Sequence, residues 1–217
     1  MDELDKLKGA WKNQDYSKHK VSTNDIYKML HMKSSSYVKW IFYISIIELG
    51  LGFLISSISY FTDSHKDSME LFKELGVYSY YIVAIVISTT VVLYFIYKFY
   101  QMFKRIEVSD SVKNLMKTIL KTRKIVKQYI YFNLGFAFIL IEVTLSFGMI
   151  QSYLKIAIDK GEINPVIPLK AYIIGGVLTI LIGLIIIGIF WGIYQLLYGI
   201  LLRRLNKNYK ELKQLDK

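Results

Sequence analysis

Two acids stand inside long apolar runs of this chain, Glu48 and Glu142. A carboxyl group in hydrocarbon costs about 2.5–3.5 kcal/mol or more, so an acid there marks function by default. No Lys, Arg or His lies within the apolar core of either run to pair with it. Each acid is therefore expected to carry its proton or to face a polar cavity. Two chemistries fit such groups: passing protons, or acting as hydrogen-bonding glue to a hydroxyl on the next helix. Ser45, Ser88, Thr89, Thr90, Asn133, Thr144 and Thr179 are the candidate partners. Glu48 lies nine residues past Lys39 and Glu142 lies 15 past Lys127, an offset of about 9 Å at helical rise. That separation suits a relay or two separate sites better than a catalytic dyad, and no catalytic residues are assigned.

Metal and cofactor chemistry have no motif to stand on. The chain has no cysteine and only three histidines, His19, His31 and His65, which fall in different segments. No HExxH pair, nucleophile elbow, P-loop or GxGxxG loop is present. No cofactor is expected.

The elements that hold the two acids are long. The hydrophobic fraction is 53% and the mean hydropathy is +0.34. The apolar residues gather in four blocks, about 40–61, 77–99, 129–150 and 171–202, each able to cross a bilayer, which needs about 20 residues. The fold class expected is an all-α integral membrane protein with four transmembrane helices plus cytoplasmic amphipathic helices. Segment 1–38 is read as a cytoplasmic helical segment, 39–202 as the transmembrane domain and 203–217 as a basic tail. The fourth block is long enough to tilt or to project beyond the membrane.

Of the 28 Lys and Arg residues, 23 fall before the first block, from Lys98 to Lys127, or after the fourth. Basic residues stay on the cytoplasmic side during insertion. Both termini are thus expected on the cytoplasmic side of a bacterial inner membrane. The formal charge of +11 reads as membrane topology rather than nucleic-acid binding, because no stacking aromatics interleave the lysines.

Three stretches could engage partners. Leu4, Leu7 and Trp11 share one helical face before the first span and form a candidate surface for a cytoplasmic protein. Between the second and third spans, about 104–127, Val112, Leu115, Met116, Ile119 and Val126 form an apolar stripe. Lys113, Lys117, Lys121, Arg123 and Lys124 flank it. Such a basic amphipathic helix is expected to lie on the anionic inner leaflet of the lipid bilayer. In the fourth span Gly176, Gly183, Gly188 and Gly192 are small residues that let helices approach, within one chain or in a homo-oligomer seam. A weak internal repeat relates Val38-Lys39 to Val126-Lys127, each leading into a span.

The stretches "LDKLKGAWKNQ" (4–14) and "IYKMLHMKSSSYVKWI" (26–41) resemble the opening of a group of small membrane proteins of Bacteroidota, flavobacteria especially. That group often carries the label beta-carotene monooxygenase. Genuine carotenoid oxygenases are soluble β-propellers that hold iron with four histidines. Three dispersed histidines and no β pattern do not support the activity here, and no enzyme is expected. The L-x-x-L-K-x-x-W opening also resembles the start of some membrane-anchored anti-sigma factors of that phylum. Function is expected to be scaffolding or signalling through the N-terminal helices, with a small proton-coupled carrier using Glu48 and Glu142 as the alternative.

Overall fold

The computed structural model describes residues 22–62, 69–70, 72–73, 76–109 and 111–215. Leu4, Leu7 and Trp11, with His19 and His65, lie outside the described residues. Helix α1 runs over Thr23–Tyr60, α2 over Tyr78–Glu107, α3 over Val112–Asp159 and α4 over Leu169–Tyr194. A π-helical turn, Gln195–Gly199, joins α4 to α5, Ile200–Leu215. No strand occurs among the described residues. Four helices are long and apolar enough to cross a membrane, with α4, the π turn and α5 forming the last.

The ends follow local chemistry. Ser22 caps α1 by accepting from the Asn24 N–H at 3.2 Å, and Ser111 caps α3 by accepting from Asn114 at 3.3 Å. α3 ends at Gly161, whose φ of 87° is open to glycine, and the Glu162 N–H closes the turn on the Ala157 carbonyl. Carbonyls at and just past the end of α2 are met from α1: His31 Nε2 donates to Ile106 O at 2.6 Å and Tyr27 donates to Ser109 O at 2.9 Å.

α1 pairs with α2, α2 with α3, and α3 with α4, while α5 packs on both α1 and α3. The tight core is concentrated at the end of the bundle where the basic residues cluster. Leu30, Val38 and Ile41 meet Phe99, Met102 and Ile106, Leu115, Ile119 and Val126, and Leu205 and Leu212. Past Ser45, α1 buries nothing further, and α2 buries nothing before Phe99. Away from the core the helices show large apolar side chains all round, such as Leu51, Leu54, Ile58, Ile173, Leu181 and Ile185. A helix apolar on every side needs an apolar surrounding, which protein does not supply here.

One expectation is corrected, and one segment is more ordered than its composition suggests. The stretch 104–127 is not a separate surface helix. It divides between the end of α2 and the start of α3, and α3 continues unbroken into the third apolar run. Its stripe, Leu115, Ile119 and Val126, is fully buried against protein rather than laid on lipid. The basic tail is also structured: α5 turns Leu205, Asn208 and Leu212 inward. The Asn208 amide donates to Ser34 Oγ at 3.0 Å, a buried polar bond that sets the register of α5 on α1.

The repeat has a structural echo. Ser34, Val38 and Ile41 of α1 and Thr122, Val126 and Tyr129 of α3 are all buried, and each pair lies 88 positions apart. The correspondence breaks at Glu48, whose counterpart is Phe136.

Candidate functional site

Glu48 projects from α1 toward three tyrosines. Tyr129 on α3 donates its hydroxyl to Glu48 Oε2 at 2.7 Å, and Tyr198 in the π turn donates to the same oxygen at 3.0 Å. Tyr194, the last residue of α4, donates to Oε1. One carboxyl group therefore ties α1 to both α3 and the junction of α4 with α5. Tyr129 and Tyr198 are fully buried.

The π turn explains how two of these donors align. Tyr194 and Tyr198 are four apart, and the wider π-helical turn stacks their rings at 5.8 Å with 28° between planes. Both hydroxyls then reach one carboxyl. Tyr129 stands edge-on to the pair, with centroids 6.4 and 5.8 Å away. Phe95 and Phe99 of α2 pack edge-on against Tyr129 and close the cage from that side.

The anticipated partners do not reach Glu48. Ser45, Ser88, Thr90, Thr144 and Thr179 all return their hydroxyls to carbonyls of their own helices. The reason is length. A short hydroxyl finds a carbonyl three or four residues back, whereas a tyrosine carries its donor across the gap between helices. Asn133, one turn beyond Tyr129, is half-buried, and its Nδ2 has no partner among the described residues.

Glu142 sits apart. It lies 13 residues beyond Tyr129 on α3, about 20 Å along the axis. The two acids stand against different elements, Glu48 in the tyrosine cage and Glu142 on the α3–α4 seam. Phe132 and Phe136 stack on α3 between them. Glu142 leans on α4 at Gly183, where a Cβ would overlap its Oε1 and crowd Phe138. That oxygen is buried and has no hydrogen-bond partner among the described residues.

Of the four glycines singled out, only Gly183 meets a neighbouring helix. Gly176, Gly188 and Gly192 face open space. The α3–α4 seam instead uses Gly175, Thr179 and Gly183, which are buried and spaced by four. The basic group divides likewise. Lys113, Lys117, Lys121 and Lys124 point outward and are exposed, whereas Arg123 turns toward α5 and donates from Nη1 to Asn206 Oδ1 at 2.7 Å.

The tyrosines escaped sequence reasoning because aromatic residues near span ends suit interfacial belts equally well. The usable signal was the pair Tyr194 and Tyr198, one helical turn apart within an apolar run that also carries Gln195.

An all-α bundle with four membrane-length apolar helices and an internal carboxyl cage has the features of a multi-pass membrane protein. The chain belongs to the family described as a domain of unknown function (DUF8845), whose model matches residues 24–217. No curated protein and no solved structure matches it.

Proposed function

We propose that this chain is a non-enzymatic scaffold or signalling protein of the bacterial inner membrane. It holds a rigid helical platform on the cytoplasmic side for a protein partner. The observation that carries this reading is the position of the core. The tight packing is at the basic end, where α1, α2, α3 and α5 form a bundle continuous with the apolar helices. A carrier would concentrate its packing around a path through the apolar region. A platform needs it where a partner docks. The segment before residue 22, with Leu4, Leu7 and Trp11, leads directly into α1, so a partner held there would pull on the helix that bears Glu48.

Orientation rests on the distribution of 23 basic residues to one side and five to the other. Reporter fusions at Lys121 and Lys213 should read as cytoplasmic, and fusions at Lys66 and Lys160 as external. An external signal at Lys121 would reverse the platform and end the proposal. Crosslinked pull-downs test the partner: Trp11→Ala should lose a specific cytoplasmic protein while membrane insertion stays normal.

The second reading is a small proton-coupled carrier. In its favour stands one ionisable group, Glu48, held among three phenols. Against it stands the placement of the two acids against different elements, Glu48 in the tyrosine cage and Glu142 at Gly183 on the α3–α4 seam. Loss of a pH-driven flux from liposomes in Glu48→Gln would favour the carrier.

A further inference from the structure

The basic end carries a pocket that the cage does not use. It opens between α3 and the α4–π–α5 junction and holds about 300 Å³. Arg123 and Lys127 line it from α3, and Arg203 and Asn206 from α5. No carboxylate is among its lining residues, so three cations converge without a counter-charge. Among the described residues, the ion pair Lys207–Glu211 lies on α5 outside this pocket.

Arg123 is the fixed point. Asn206 holds its Nη1, while its Nε is buried and has no partner among the described residues. A guanidinium pinned on one edge with a donor left open on another suits an anionic oxygen. The rest of the pocket is amphipathic. Trp191 lies 12 residues before Arg203, about 18 Å along the helix axis, and Ile130 lies past Lys127 on the apolar side. Charge therefore sits at the level where the apolar runs end, and the aromatic and aliphatic lining extends into the apolar zone. Free phosphate would use only the first part. A phospholipid would use both.

We propose that this pocket is a binding site for the phosphate headgroup and upper acyl chain of an anionic phospholipid. Basic pockets between membrane helices on the cytoplasmic side recognise such headgroups, and each basic residue near that surface contributes roughly a fivefold preference. The inference rests on the reading of the basic end as the cytoplasmic boundary of the membrane. It differs from the surface-helix expectation, because the exposed lysines Lys113 and Lys117 are not part of the pocket.

The test uses the full-length protein in detergent, titrated with phosphatidylglycerol or phosphatidylcholine and read by native mass spectrometry. The unmodified chain should retain phosphatidylglycerol at least tenfold more tightly. Lys127→Gln and Arg203→Gln should each lower that preference about fivefold. A Lys113→Gln/Lys117→Gln variant, which removes as much charge outside the pocket as the first two together, should leave it unchanged. Equal losses in all variants would overturn the site, as would no preference in the unmodified chain. Inorganic phosphate and glycerol phosphate form separate arms, and retention of either as tight as that of the lipid would overturn lipid recognition. Should a pocket variant not fold, a chain with Trp11→Phe and Trp40→Phe leaves Trp191 as the only tryptophan. Its fluorescence should be quenched more by brominated phosphatidylglycerol than by brominated phosphatidylcholine, and equal quenching would refute the site. Vesicle flotation separates the two levels of failure. A chain that does not float with vesicles removes the membrane reading itself, whereas one that floats without lipid preference removes the pocket alone.

Discussion

Replacing Glu48 with leucine should be among the most damaging single changes at the helix junction, and its cost can be worked from the cage. Leucine removes the acceptor for three hydroxyls. Tyr129 and Tyr198 are fully buried, so water cannot replace the carboxyl there. A buried polar group left without a partner costs about 1–3 kcal/mol, so the two together give about 2–6 kcal/mol. Apolar gain from the leucine and bonding between the tyrosines themselves push the value toward the lower end. Glutamine keeps one carbonyl oxygen. Placed where Oε2 stands, it still serves Tyr129 and Tyr198, and only Tyr194 loses its acceptor. That change should cost about 1–2 kcal/mol. Adding Tyr129→Phe to the leucine variant removes one stranded hydroxyl and should restore about 1 kcal/mol, although alone it destabilises. Unfolding titrations in mixed micelles, followed by tryptophan fluorescence, measure all four variants. If glutamine and leucine cost the same, or if Tyr129→Phe is additive with Glu48→Leu, the three hydrogen bonds are not what joins α1 to the other helices.

Two further outcomes follow from the packing. Leu205→Ala and Leu212→Ala each empty a fully buried position on α5 and should cost about 2–5 kcal/mol by the same titration, whereas a loose tail would show no change. Charge reversal at Lys113, Lys117 and Lys121 should leave the unfolding titration nearly unaltered, because these side chains are exposed while the stripe beside them is packed on protein; a large loss of stability would show that they pack within the bundle.

Much of the architecture was legible from residues alone. Four apolar runs of membrane length must be helices when their surroundings offer the backbone no other partner. The isolation of Glu48 and Glu142 was equally plain, since it depends only on their neighbours along the chain. The helical character of 112–127 was also readable, from apolar residues recurring at three and four. Leu205, Asn208 and Leu212 recur at the same spacing, but 203–217 reads only as a basic tail, because charge dominates its composition.

What covers an amphipathic face is a different matter. Lipid and the apolar face of another helix attract the stripe at Leu115 and Ile119 in the same non-directional way, so local pattern cannot choose between them. Only the arrival of α1, α2 and α5 at that stripe decided it. The cage was hidden for a related reason. Tyr129, Tyr194 and Tyr198 lie 81, 146 and 150 positions from Glu48, and no periodicity links positions so distant. Their meeting depends on the crossing of three helices and on the π turn that aligns Tyr194 with Tyr198. Composition and spacing determined that an acid would stand in an apolar helix; the tertiary arrangement decided that three phenols, rather than a neighbouring serine or threonine, would satisfy it, because only a side chain as long as tyrosine spans the distance between packed helices.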